Sequence, residues 1–169
     1  MEAELTVAGD RRLILLTGAT GYIGGRLLRT LHERSERVRA LARRPDDLLG
    51  RVPVGVEVVG GDVLEPETLS TAFQGVDTAY YLIHAMASRH DFETEERNGA
   101  ENFARAAKAA GIRRIIFLGG LGGEALSRHL ASRHEVGRIL RNSGVPTLEL
   151  RASIILGSGS LSFEWCARW

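Results

Sequence analysis

The chain has 169 residues, 44% apolar, 25% charged and 6% aromatic, enough to bury a sizeable core and unlike a disordered or disulfide-stapled chain. The single cysteine, Cys166, offers no internal bridge and no thiolate zinc site, so a reducing, cytoplasmic setting is expected. Twenty-two basic against 21 acidic side chains give a net charge of +1, without the basic excess of a nucleic-acid-binding surface. No apolar run approaches the roughly 20 residues of a membrane span, and MEAELTVAGDRR lacks the apolar core of a signal peptide. All basic residues but Lys108 are arginine. The base composition of a GC-rich gene accounts for such a bias, so only an arginine marked by a motif is given a role.

After a polar lead, Leu13–Thr17 is a continuous apolar run closed by Gly18, as in a strand buried on both faces. Tyr22–Glu33 places Ile23, Leu27, Leu28 and Leu31 at helical spacing. Val38–Ala42 reads as a second strand, and Val54–Val59 alternates as a third before Gly60-Gly61-Asp62. A short helix follows from Pro66, with Leu69, Ala72 and Phe73 on its apolar stripe and Gly75 as its stop. Thr78–Ile83 reads as the fourth strand and Phe92–Ala110 as a long helix ended by Gly111. Ile115–Leu118 is a fifth strand, Ser127–Asn142 a helix and Thr147–Ala152 a sixth strand. Such regular alternation of apolar strands with long crossovers implies an α/β fold, a doubly wound parallel sheet with helices on both faces.

The densest chemical signal is Thr17-Gly18-Ala19-Thr20-Gly21-Tyr22-Ile23-Gly24, a G-x-x-G-x-x-G between the first strand and the first helix. In that position the first glycines let backbone turn close to a pyrophosphate, and the third lets helix pack on strand. The helix N-terminus adds free N–H groups and the positive end of its dipole. Dinucleotide choice is normally read about 20 residues further on, where an acidic residue binds the adenosine ribose of NAD. Here the second strand ends in Arg43-Arg44, with no acidic residue beside it. Two arginines suit a 2′-phosphate, so NADP is expected, with NAD as the alternative if both merely face solvent. Asp62, after the third strand, is placed to accept from the adenine amino group; the competing reading is a plain turn aspartate.

TGATGYIG, the GDV after the third strand, NFARAAKAAGIRRIIFLGGLG and SGVPTLELRASIILG together resemble the atypical short-chain dehydrogenase/reductase superfamily, nearest its NAD(P)H-binding, NmrA-like branch, which overlaps the extended, epimerase-like members. The resemblance runs from about Leu13 to Gly159. It implies an NAD(P)-binding Rossmann fold of three α/β/α layers. It also implies that Gly18, Ala19, Thr20, Gly21, Tyr22, Ile23 and Gly24 hold the pyrophosphate, Arg43 the 2′-phosphate, and Asp62 and Val63 the adenine. Leu82, Ile83 and His84, at the exit of the fourth strand, are implied to pass under the nicotinamide ribose.

Active members carry a Ser or Thr after the fifth strand and Tyr-x-x-x-Lys on the next helix. This chain has Gly119-Gly120 at the first place, and aligning Ser132-Arg133 on the family's Ser-Lys puts His129 and Arg133 at the Tyr and Lys positions. His129 is then a candidate for proton exchange and Arg133 for holding the ribose. The competing reading is an exposed His and Arg with no chemical task. The histidines do not suggest a metal: His129 and His134, five apart, do not share a helix face, and His90-Asp91 lacks a second pair.

Family chains continue into a substrate lobe. The expectation is that residues 1–169 form one nucleotide-binding domain of a longer protein, with the segment bearing Leu161, Phe163, Trp165 and Trp169 leading into that lobe; the alternatives are that it packs on a partner or covers its own core. Two functions are carried forward: a reductase acting on an unknown small carbonyl-type molecule, and a non-catalytic NADP(H) sensor or scaffold acting through a protein partner. A sugar-nucleotide epimerase needs the same Tyr-Lys pair and is the weaker third.

Overall fold

The computed structural model describes residues 12–84, 91–122, 127–157 and 160. The polar lead, Cys166 and the aromatic segment 161–169 lie outside the described residues. Six strands, β1 Leu13–Thr17, β2 Arg37–Ala42, β3 Glu57–Gly60, β4 Val76–Tyr81, β5 Arg114–Gly120 and β6 Thr147–Ala152, form one sheet in the order β3-β2-β1-β4-β5-β6. Every neighbouring pair is parallel. The chain steps outward from β1 to β3, then returns past it to β4 and continues to β6. The order therefore reverses between β1 and β4.

Four helices cover the sheet: α1 Tyr22–Glu33, α2 Leu69–Ala72, α3 Phe92–Ala109 and α4 Arg128–Arg141. Successive strand residues point to opposite faces, so the continuous apolar run of β1 supplies two cores. Leu13 and Leu15 join Leu69, Phe73, Phe103 and Leu140 under α2, α3 and α4. Leu16 joins Leu28, Leu31, Val38 and Ala40 under α1. In the larger core Phe103 meets Phe73 and Tyr81 edge-on, with ring centroids 5.0 and 4.8 Å apart, a favoured aromatic arrangement.

The expected boundaries of α1 and β6 hold, and α3 and α4 hold to within a residue at either end. Two strands differ. The third begins at Glu57, three residues later than expected, because Pro53 and Gly55 make a turn, Gly55 at φ +93°, that leaves Val54 96% exposed. Only four residues are needed to pair with Arg39–Ala42. The fourth spans Val76–Tyr81 rather than Thr78–Ile83, so Leu82, Ile83 and His84 already lie in the loop above the sheet. Between Pro66 and Ala72 the short helix starts as a 3-10 turn and becomes α-helical at Leu69.

Candidate functional site

The carboxyl ends of β1 and β4 are tied by one buried hydroxyl. Thr17 Oγ1 donates to the Tyr80 carbonyl at 2.9 Å and accepts from the Leu82 N–H at 3.1 Å. The two strands are held edge to edge up to their last residues, where the glycine turn begins. Gly18 has φ +71°, and a Cβ there would lie 2.8 Å from the Leu82 carbonyl oxygen. Gly24 marks the other close approach: a Cβ there would lie 2.1 Å from the Gly18 carbonyl oxygen, so α1 rests directly on the turn. At the helix start Gly21 makes no side-chain cap, and the first turn carries no acidic residue. Thr20 and Gly21 are exposed. The first turn of α1 thus brings no side-chain cap and no carboxylate of its own to its N–H end, as a pyrophosphate requires.

At the end of β2, Arg43 is exposed and has no hydrogen-bond partner among the described residues. Arg44 is engaged locally, its Nη2 3.0 Å from Asp47. Between the two expected 2′-phosphate ligands, only Arg43 stands ready. Asp62 Oδ1 accepts from the Leu64 N–H at 3.0 Å, an Asx turn, and the Asp62 N–H donates to Thr68 Oγ1 at 3.0 Å. The side chain of Asn102 on α3 donates to the Val63 carbonyl at 2.8 Å and pins this loop to the core.

The two helix residues aligned with Tyr and Lys separate. His129 is exposed and stacks on Phe92, with ring centroids 4.2 Å apart. Arg133 is not the solvated arginine of the competing reading, since its side chain is only 12% exposed. Its guanidinium donates to the Ile83 carbonyl at 2.8 Å and to the Leu118 carbonyl at 2.5 Å, and sits 4.7 Å over the Phe117 ring. It therefore bridges the loop after β4 to β5 from α4. Burial pulls its basicity down from the usual guanidinium range, against the opposing pull of Glu96. At Gly120 a Cβ would fall 2.3 Å from Leu130 Cδ1, so a side chain on this strand end requires Leu130 to swing away.

Glu96, which sequence reasoning missed, lies at the centre of this region with 4% exposure. One carboxylate oxygen is 2.5 Å from His84 Nδ1 and 3.8 Å from Arg133 Nη1, and the other accepts from the buried Ser132 hydroxyl. His84 itself is 32% exposed and meets His129 edge-on, with ring centroids 6.1 Å apart. A signal for Glu96 existed. Phe92, Glu96, Ala100, Phe103, Ala104 and Ala107 form the buried stripe of α3, and a charge on such a stripe needs partners.

A glycine turn at an open helix N-terminus, placed where a parallel sheet reverses its order, defines a dinucleotide-binding Rossmann domain. The NAD(P)H-binding family is matched over residues 18–155, and the chain belongs to it, within the atypical short-chain dehydrogenase/reductase superfamily. Ceramide reductase of Caulobacter vibrioides is 31% identical over 152 residues, covering 88% of this chain and 48% of that protein. Sterol demethylase protein B of Methylococcus capsulatus is 32% identical over 123 residues, covering 70% of this chain and 37% of that one. The chain thus spans half or less of these relatives. The crystal structure of Citrobacter sp. triphenylmethane reductase with NADP(H) is similar at a TM-score of 0.72 and 26% identity, over 85% of this chain and 50% of that one. No helix among the described residues is long and apolar enough to cross a membrane.

Proposed function

We propose that this chain is the nucleotide-binding portion of a longer reductase that takes NADPH in preference to NADH and reduces a small carbonyl-type molecule. The observation that carries the reading is Arg43: exposed, without a hydrogen-bond partner among the described residues, and at the end of β2, where an NAD enzyme would present a carboxylate. The glycine turn from Gly18 to Gly24 would hold the pyrophosphate with α1's backbone N–H groups, and Asp62 and Val63 would face the adenine. Leu82, Ile83 and His84 would line the nicotinamide end, where a bound reduced dinucleotide supplies hydride. Arg133 supports that end by holding the Ile83 carbonyl, and His129 walls it beside Phe92. The share of the ceramide reductase and sterol demethylase relatives left uncovered supports placing most of the substrate site outside residues 1–169.

The test is a calorimetric titration of NADPH against NADH. NADPH binds more tightly by at least tenfold, about 1.4 kcal/mol, and Arg43→Glu abolishes the difference. Equal affinities in the wild-type chain overturn the reading. A second reading, a non-catalytic NADP(H) sensor, is favoured by one observation: no hydroxyl side chain stands at the end of β5, where Gly120 faces Leu130.

A further inference from the structure

His84 stands two residues beyond Leu82, whose carbonyl forms the wall against which Gly18 is packed. Its imidazole is therefore at the carboxyl end of β4, beside the reversal point of the sheet and on the same rim as the glycine turn. Glu96 of α3 takes Nδ1 at 2.5 Å. A carboxylate accepts from an N–H and does not donate, so Nδ1 carries hydrogen in both protonation states of the ring. Proton exchange is confined to Nε2. Among the described contacts, Ser132 and Arg133 of α4 hold the carboxylate, and His129 of α4, stacked on Phe92 of α3, meets the imidazole edge-on.

We propose that His84 is the proton donor and acceptor of the reductase, taking the place of the absent Tyr-Lys pair, and that Glu96 and Ser132 are its positioning residues. The proposal rests on the reductase reading above. In the reducing direction the Nε2–H bond breaks and an O–H bond forms on the substrate's carbonyl oxygen as its carbon accepts hydride from the reduced dinucleotide. His84 is left neutral with its hydrogen on Nδ1, and water returns the proton to Nε2.

The test is nitrogen-detected NMR of the imidazole rings in the 169-residue chain at alkaline pH, with and without NADPH. His84 is expected as the Nδ1–H tautomer, and Glu96→Gln is expected to cut that population by at least half. Added NADPH shifts the His84 ring together with the Gly21 backbone amide and leaves His32, on the far end of α1, unmoved. A wild-type His84 in the Nε2–H form overturns the proposal whether or not the variant folds. So does NADPH binding that moves Gly21 and not His84. If Gly21 does not move, the cofactor reading fails instead, and the tautomer still decides whether Glu96 positions His84. In the full-length protein, with 9,10-phenanthrenequinone as probe, His84→Gln lowers kcat at least about tenfold; full turnover by that variant also overturns the proposal.

Discussion

Two adjacent glycines of α1 separate a positional requirement from mere composition. A Cβ at Gly24 would lie 2.1 Å from the Gly18 carbonyl oxygen, 2.7 Å from its carbonyl carbon and 3.0 Å from Ala19 Cα. All three are backbone atoms of the glycine turn, and ordinary contact distances of about 3.5 Å would need α1 to move out by more than ~1 Å. That movement is opposed by the packing of the helix's second half, where Leu28 and Leu31 are buried in one core with Leu16 and Val38. Overpacking of this kind costs about 3 kcal/mol, and the better helix propensity of alanine returns at most about 1 kcal/mol. Gly24→Ala is therefore expected to lose about 2 kcal/mol. At Gly25 the only near atom is the Ala19 carbonyl oxygen at 3.3 Å, so Gly25→Ala should fall within about 1 kcal/mol of wild type in either direction. In urea, with a slope of roughly 2 kcal/mol per molar, the first midpoint falls by about 1 M and the second by no more than half that. NADPH affinity should fall with the first substitution only. Coincident midpoints for the two variants would refute the claim that α1 is seated on the turn at Gly24.

Three further outcomes follow from the described contacts. Arg133→Met strips the Ile83 and Leu118 carbonyls of a donor and leaves the buried Glu96 without its neighbouring cation; about 3–5 kcal/mol should be lost in chemical denaturation. Adding Glu96→Gln to it should cost less than the sum of the two single changes. Arg97 hydrogen-bonds Glu135 and Arg128 hydrogen-bonds Glu93, and each bond holds its carboxyl below the ordinary carboxylate range. These α3–α4 ties therefore contribute above the unfolded-state pKa near 4.5 and are lost as pH falls through the lower folded values, which acid titration of the melting temperature at low and high salt checks. Burial pushes the Tyr81 phenol above its usual value. Below pH ~10 it is neutral folded or unfolded and has no effect on stability. Above that only the unfolded chain ionises, so stability should fall with rising pH and the tyrosinate absorbance of Tyr81 should appear only with unfolding.

What could be seen in the sequence was what is local. The glycine turn is eight consecutive residues, and its flanking strand and helix are fixed by short-range periodicity, so Gly18, Gly24 and α1 were legible together. The parallel, doubly wound sheet followed from the alternation of strands and helices, because parallel neighbours need crossovers of this length. The third strand was misplaced because Val54, Val56 and Val58 alternate as a strand does, while the turn at Pro53 and Gly55 overrides that alternation. Edge pairing with Arg39–Ala42 then decides where β3 begins.

The cluster around Glu96 is of a different kind. His84, Glu96 and Ser132 are separated by 12 and 36 residues, and only the packing of α3 against α4 and the end of β4 brings them together. Read along the chain, Glu96 is one of several carboxylates in Glu93-Thr-Glu-Glu96 and attracts no notice. Read around the helix, it is the charge on a stripe that is otherwise apolar. The same reasoning separates His84 from His129. His129 sits at the position where a family alignment looks for a proton donor, yet its ring is stacked on Phe92 and no carboxylate orients it among the described contacts. The resemblance places His84 only beneath the nicotinamide ribose, with no chemical task, yet a buried carboxylate holds one of its nitrogens and, in the proposal, the other exchanges the proton. A proton donor needs a defined tautomer and access to the reacting oxygen. By that criterion the proposal puts the acid–base group at the end of β4, whereas the family pattern looks for it on α4.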